Sequence, residues 1–176
     1  MLLEEIIEGC KSGNRKAQEA LYRQFSDQLF SICLRYASNQ EEAEDILQVG
    51  FIRIFRSINH YKGIGSFEGW LIRIMINQAI DQYRKRPKLA RIQLDEPEVL
   101  KIPAPIGDTF DAESLLQLIT RLPEKYRMVF NLYAIEGYTH QEIAVMLDIS
   151  EGTSKSQLSR ARKWLKEKLE GVATNL

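Results

Sequence analysis

The side chains best suited to chemistry in this chain lie in its last quarter. Thr153, Ser156, Arg160 and Lys163 recur at spacings of three and four and so share one face of a helix. That face is short and polar at its start and cationic further on. A helix entering the major groove of duplex DNA needs this gradient, because its first turns meet base edges and its later cations meet phosphates. Between residues 153 and 168, six cations (Lys155, Arg160, Arg162, Lys163, Lys166, Lys168) stand against one acid, Glu167. A second basic run, Arg84, Lys85, Arg86, Lys88 and Arg91, has no acid between residues 82 and 94. It follows Trp70, Gln78 and Tyr83, and aromatic and amide side chains beside cations can stack and hydrogen-bond unpaired bases.

Catalytic chemistry has less to stand on. His60 and His140 are the two histidines, and neither sits at a metal-ligand spacing. His140 reads as an exposed residue at a helix start. Cys10 and Cys33 fall in helical patterns and read as buried free thiols, with no zinc spacing and no disulfide framework. No glycine-rich phosphate loop follows a strand. The expectation is a binding protein with no cofactor and no metal, not an enzyme.

The polar face needs a scaffold, and residues 138–169 supply a helix-turn-helix pattern. A first helix is predicted over 140–147, with Ile143, Ala144 and Leu147 inward. Small Ala144 lets a second helix cross closely. Asp148, Ile149 and Ser150 form the turn, and Ser150 is a suitable N-cap because its hydroxyl can accept a first-turn N–H. Leu158, Ala161, Leu165 and Leu169 then make the buried stripe of the second helix.

Upstream, apolar spacing predicts helices over 2–11, 15–37, 40–59 and 67–86, and then over 111–121 and 125–135. Asn39 with Glu42 resembles a capping box. The 40–59 helix is apolar on more than one side. Ala43, Ile46, Leu47, Gly50, Ile54 and Ile58 form one stripe, and Val49, Phe51, Ile52 and Phe55 widen it into core or partner surface. Residues 60–66 form a loop with two glycines, and Ser66 can cap the next helix. Residues 88–110 break the periodicity with Pro97, Pro103, Pro105 and Gly107 and read as an extended acidic linker. No segment alternates with period two. The fold class is therefore all-α, two small helical domains joined by a flexible linker, divided as 1–88, 89–110 and 111–176.

The formal net charge of the 176 residues is zero, but the charge is segregated, and local fields govern nucleic-acid binding. No apolar run reaches membrane-spanning length and no signal-peptide pattern opens the chain, so a soluble cytoplasmic protein without membrane insertion is expected.

Three blocks resemble the extracytoplasmic-function (group 4) sigma factors of bacterial RNA polymerase. Residues 43–51 (AEDILQVGF) resemble the polymerase-binding part of sigma region 2. Residues 66–74 (SFEGWLIRI), with Asn77, Asp81 and Arg84, Lys85 and Arg86, resemble the segment that melts and reads the −10 element. Residues 122–127 (LPEKYR), 137–144 (GYTHQEIA) and 152–165 resemble region 4. Each block alone is weak; their order and spacing together are specific.

The resemblance implies roles. Asp45, Gln48, Val49 and Ile52 would meet core polymerase on the clamp helices of its largest subunit, while region 4 would meet the flap of the second-largest subunit. Tyr61, Lys62, Ser66, Trp70 and Asn77 would help capture an unpaired base of the non-template −10 strand, and Arg84, Lys85 and Arg86 would hold its phosphates. Thr153, Lys155, Ser156, Ser159, Arg160, Arg162 and Lys163 would read the −35 duplex, with Thr139, His140 and Gln141 at phosphate. The linker would thread toward the RNA-exit channel, and an anti-sigma factor would be the regulator. Three positions depart from the family pattern. Val49 stands where an acid is usual, Ser154 where a β-branched apolar residue is common, and Gln157 where Arg is frequent. The rival is a dimeric repressor, which would need a self-complementary surface and palindromic operators.

Overall fold

A computed structural model describes residues 1–87 and 112–174, with side chains to residue 171. The expected linker, 89–110, lies outside the described residues, as do Lys88 and Asp111. The described residues form eight α-helices and no strand. The backbone clusters into two units, Met1–Tyr83 and Arg84–Leu176.

In the first unit, α1 (Leu3–Lys11) and α2 (Arg15–Tyr36) are joined by a turn at Gly13, whose φ of 74° suits a residue without Cβ. Asn14 caps α2, its side chain accepting the Lys16 N–H at 2.9 Å. Helix α3 (Gln40–Ser57) continues into a 3-10 turn (Ile58–His60) and is followed by α4 (Phe67–Lys85), whose last two residues fall in the second unit. Asn39 Oδ1 accepts the Glu42 N–H at 2.8 Å, as a cap should. The Glu42 carboxylate accepts the Ser38 N–H at 2.6 Å, one residue ahead of a standard capping box.

The core stripes run as the spacing predicts. Leu21, Leu29, Ile46, Ile54, Ile58, Leu71 and Met75 are almost fully buried. The surplus apolar residues of α3 divide: Phe51 is buried at 4 %, whereas Val49 and Ile52 remain 38 % and 50 % exposed. Gln78 is buried, so it belongs to the interior and not to a base-contacting surface.

The second unit holds α5 (Ala112–Thr120), α6 (Glu124–Phe130), α7 (His140–Leu147) and α8 (Glu151–Thr174). Helix α6 passes into a π-helical turn over Asn131–Ile135, which apolar periodicity does not announce. Leu118, Ile119, Leu122, Ala161 and Leu165 make a core against which Tyr126, Phe130, Trp164 and Leu169 pack. Buried Arg127 donates to the Thr120 carbonyl at 2.9 Å and thereby ties α6 to the end of α5.

Candidate nucleic-acid and polymerase interfaces

The recognition scaffold is built by three local devices. At the start of α7, Thr139 and Glu142 form a capping box: the Thr139 hydroxyl accepts the Glu142 N–H at 3.2 Å, and the Glu142 carboxylate accepts the Thr139 N–H at 2.8 Å. Those bonds, the backbone one first and the Thr139 hydroxyl second, hold the Glu142 carboxyl below the usual glutamate range. At its end, Asp148 adopts φ 55°, ψ 53°, the left-handed conformation that turns the chain toward the next helix. Ser150 then caps α8, its Oγ accepting the Thr153 N–H at 3.0 Å.

With Leu158, Ala161 and Leu165 buried on one side of α8, the opposite side presents Lys155, Ser156, Ser159, Arg160, Arg162 and Lys163 to solvent. Thr153 is half-buried beside the cap, its hydroxyl 2.8 Å from Ser150 Oγ. Lys155 pairs with Glu151 at 3.3 Å, an exposed contact that is easily exchanged for a phosphate. Gln141 is exposed at the start of α7.

His140 departs from the exposed position expected of it. It is half-buried, its ring stacked on Tyr133 with centroids 4.4 Å apart and planes at 18°. Its Nδ1 lies 2.8 Å from the hydroxyl of fully buried Ser154. Arg162 in turn lies over the Tyr133 ring at 5.8 Å. These contacts join residues 7 to 29 positions apart, beyond the reach of helical periodicity.

In the first unit, the loop before α4 is braced by rings. Tyr61 meets Phe67 edge-on at 5.1 Å and Trp70 at 5.4 Å, and Phe67 stacks on Trp70 at 5.6 Å. The Tyr61 hydroxyl donates to the Gly65 carbonyl at 3.1 Å, and Ser66 Oγ accepts the Gly69 N–H at 3.0 Å. Gly63 and Gly65, at φ 72° and 76°, allow the chain to loop out between these anchors, leaving Lys62 and Ile64 exposed. Tyr61 and Trp70 are thus half-buried braces.

Beside this loop, Arg53, Arg56, Ser57, His60, Ile74 and Asn77 line an open cavity of about 350 Å³. Asn77 is the expected contact residue that reaches it. Arg53, Arg56 and His60 were not among the expected contacts; the signal available was the short spacing of cations along α3, which reads equally well as a solvated face. Arg53 is tied to Asp81 at 2.7 Å. Within the second unit, Arg84 and Lys85 are exposed, whereas half-buried Arg86 pairs with the buried carboxylate of Glu124.

Asp45, Gln48, Val49 and Ile52 are all exposed. Their spacing of three, one and three places them on one face of α3, opposite buried Ile46, Gly50 and Ile54. Among the described residues, no three His, Cys, Asp or Glu side chains gather as a metal site, and no helix is long and apolar enough to cross a membrane.

Comparison with known proteins agrees with this layout. Residues 21–88 match the family model for sigma-70 region 2, and residues 112–165 match that for sigma-70, region 4. The chain is 34 % identical over 160 residues to the ECF RNA polymerase sigma factor SigE of Mycolicibacterium smegmatis, covering 86 % of this chain and 61 % of that relative. It is 29 % identical over 187 residues to the ECF RNA polymerase sigma factor SigW of Bacillus subtilis, covering 96 % of this chain and 97 % of the relative. Among solved structures, the sigma factor RpoE of Bartonella quintana, in complex with the anti-sigma factor NepR, shares the fold with a TM-score of 0.52 at 22 % identity, over 86 % of this chain and 96 % of that one. CnrH, in complex with the cytosolic domain of CnrY, does so at 0.50 and 23 %, over 94 % and 96 %. With both sigma regions matched in order on these helices, the chain belongs to the sigma-70 family, in its extracytoplasmic-function group.

Proposed function

We propose that the chain is a promoter-specificity factor with two separate readers, divided as residues 1–88 and 111–176 and linked by 89–110. It binds core RNA polymerase and directs initiation inside the cell, where polymerase and promoter DNA are. The second unit reads −35 duplex with the exposed side of α8. Thr139, His140 and Gln141 lie against the phosphate backbone, which fixes register without reading sequence. The first unit holds an unpaired base of the −10 strand beside the ring-braced loop, in the cavity reached by Asn77. Arg84 and Lys85 hold neighbouring phosphates, and Arg86 joins them once it exchanges Glu124 for phosphate. Unstacking a base costs a few kcal/mol, which a stacking surface and a pocket must offset.

The observation that carries the reading is the exposed stripe Asp45, Gln48, Val49 and Ile52. Two large apolar side chains stand side by side at 38 % and 50 % exposure on a helix whose other side is core, and contiguous exposed apolar surface suits a protein partner better than DNA. They suit the clamp helices of the largest polymerase subunit, and Val49 supplies packing where the family usually has a charge. An anti-sigma factor is the expected regulator, as the Bartonella quintana protein was solved with one.

The test is a pull-down of core polymerase with Ile52→Asp. Ile52 is half exposed, so the fold should survive by circular dichroism. Core affinity should fall by roughly 2 kcal/mol, as for a central apolar contact. Full core binding by the folded variant would remove α3 from the interface.

A further inference from the structure

Ser154 is a fully buried polar side chain on the recognition helix, at a position where apolar packing would be the simpler solution. Three other helical serines return their hydroxyl proton to the backbone: Ser31 to the Asp27 carbonyl, Ser57 to that of Arg53, and Ser156 to that of Thr153. Ser154 instead turns its hydroxyl to His140 Nδ1 at 2.8 Å, across the angle between α7 and α8.

The direction of this hydrogen bond follows from which groups need partners. A buried hydroxyl needs an acceptor for its proton, and among the described residues His140 Nδ1 is the hydrogen-bond partner of Ser154 Oγ. If Nδ1 carried the imidazole proton, the Ser154 proton would be buried with nowhere to go. Ser154 therefore donates, Nδ1 accepts, and neutral His140 keeps its proton on Nε2. The Tyr133 ring, stacked at 4.4 Å, fixes the imidazole plane, and Arg162 covers Tyr133 at 5.8 Å. His140 is half-exposed at the first position of α7, beside the exposed Thr139 and Gln141. Nε2–H, on the far side of the ring from the Ser154 bond, is left without a partner among the described residues.

We propose that Ser154 is a positioning residue: its hydroxyl locks His140 as the Nε2–H tautomer, so that the histidine donates one directed hydrogen bond to a phosphate of the −35 duplex. The phosphate half of this proposal rests on the promoter-reading function above; the tautomer half does not. The arrangement links the depth of α8 in the groove to the backbone contact of α7, because one hydroxyl sets both. It also accounts for the departure at Ser154: the hydroxyl matters, not the volume.

Two arms test it on the full chain. Long-range nitrogen–proton NMR of histidine-labelled protein at neutral pH reads the tautomer, and His140→Phe, which lacks the His140 signals, assigns them. The wild type should show unprotonated Nδ1 and protonated Nε2. Ser154→Thr and Ser154→Val are isosteric with each other and differ in the hydroxyl, so Thr should keep the single tautomer and Val should give a mixture. A protonated Nδ1 in the wild type, or a Val variant with an unchanged tautomer, would overturn the lock. The second arm is run-off transcription with reconstituted holoenzyme on a promoter this chain directs. His140→Phe should reduce −35-dependent initiation by about ten- to a hundredfold, the range of one hydrogen bond to a charged phosphate, and Ser154→Val by less, because a mixture keeps part of the donating tautomer. The double variant should lose no more than His140→Phe alone. Full activity of His140→Phe with the tautomer lock intact would overturn the phosphate contact. Absence of initiation by the wild type would overturn the promoter reading itself, and the tautomer result would show which of the two had failed.

Discussion

Arg160 shows what a single recognition side chain can be asked to do. It is exposed on α8 between buried Leu158 and Ala161, so truncation leaves the core untouched. Arg160→Ala is expected to weaken −35-dependent initiation by roughly 1–3 kcal/mol if the guanidinium pairs with a base edge. Run-off transcription measures this, and unchanged initiation would remove Arg160 from the readout. Glu142 gives a residue-scale signature in stability. Its carboxyl is held below the usual range by Thr139, so the charged form is favoured in the folded chain. The linked stability is present above the ordinary glutamate pKa and is lost as pH falls through the lowered folded value. Wild type and Glu142→Gln should thus differ in thermal midpoint at neutral pH and converge in acid; a gap that persists in acid would contradict the cap assignment. Local chemistry of this kind was legible from sequence: Ser150 and Ser66 act as caps where their types and positions indicate. His140 was not, because Tyr133 and Ser154 reach it only through the fold.

At the scale of elements, helix crossings are set by small residues. A Cβ added at Gly9 would lie 2.5 Å from the Ala17 Cβ, which cannot swing away as a long side chain would. Gly9→Ala gains about 1 kcal/mol of helix propensity. It also forces α1 from α2, an overpacking cost of about 1–3 kcal/mol. The net expectation is a lower unfolding midpoint in denaturant, and a raised midpoint would show that the α1–α2 crossing relaxes freely. Helices were readable from sequence because each carries a 3.6-residue apolar stripe, and the helix-turn-helix was readable to the residue over His140–Leu147. The 3-10 end of α3 and the π-helical end of α6 were not, since both keep apolar residues in step with a helix while changing the hydrogen-bond pattern. Of the residues lining the cavity beside the α4 loop, Asn77 was the one that the sequence singled out as a contact. Arg53, Arg56 and His60 join it from three turns of chain whose convergence depends on how α3 packs against α4.

At the scale of the whole molecule, zero net charge and two separately packed units argue against tight binding to duplex by the chain alone. Each reader binds a short site, and joining two such readers in one chain adds little unless a third body sets their spacing. The isolated protein is expected to show weak, salt-sensitive duplex binding at physiological ionic strength. Tight promoter-specific binding in a mobility-shift assay without polymerase would contradict this. The two-domain, all-α organisation was legible because periodic segments stop at a proline-rich, acidic stretch and resume with a different motif. The proposed polymerase surface was only partly visible in advance: the excess of apolar residues on α3 could be read, but not which ones the core would claim. The most direct test of the central claim is run-off transcription with purified core polymerase, this chain and a pool of genomic fragments, with the 5′ ends mapped. New starts sharing two sequence elements about one and a half to two duplex turns apart are predicted for two readers held at a fixed separation. Failure to bind core polymerase, with no new starts, would contradict the account.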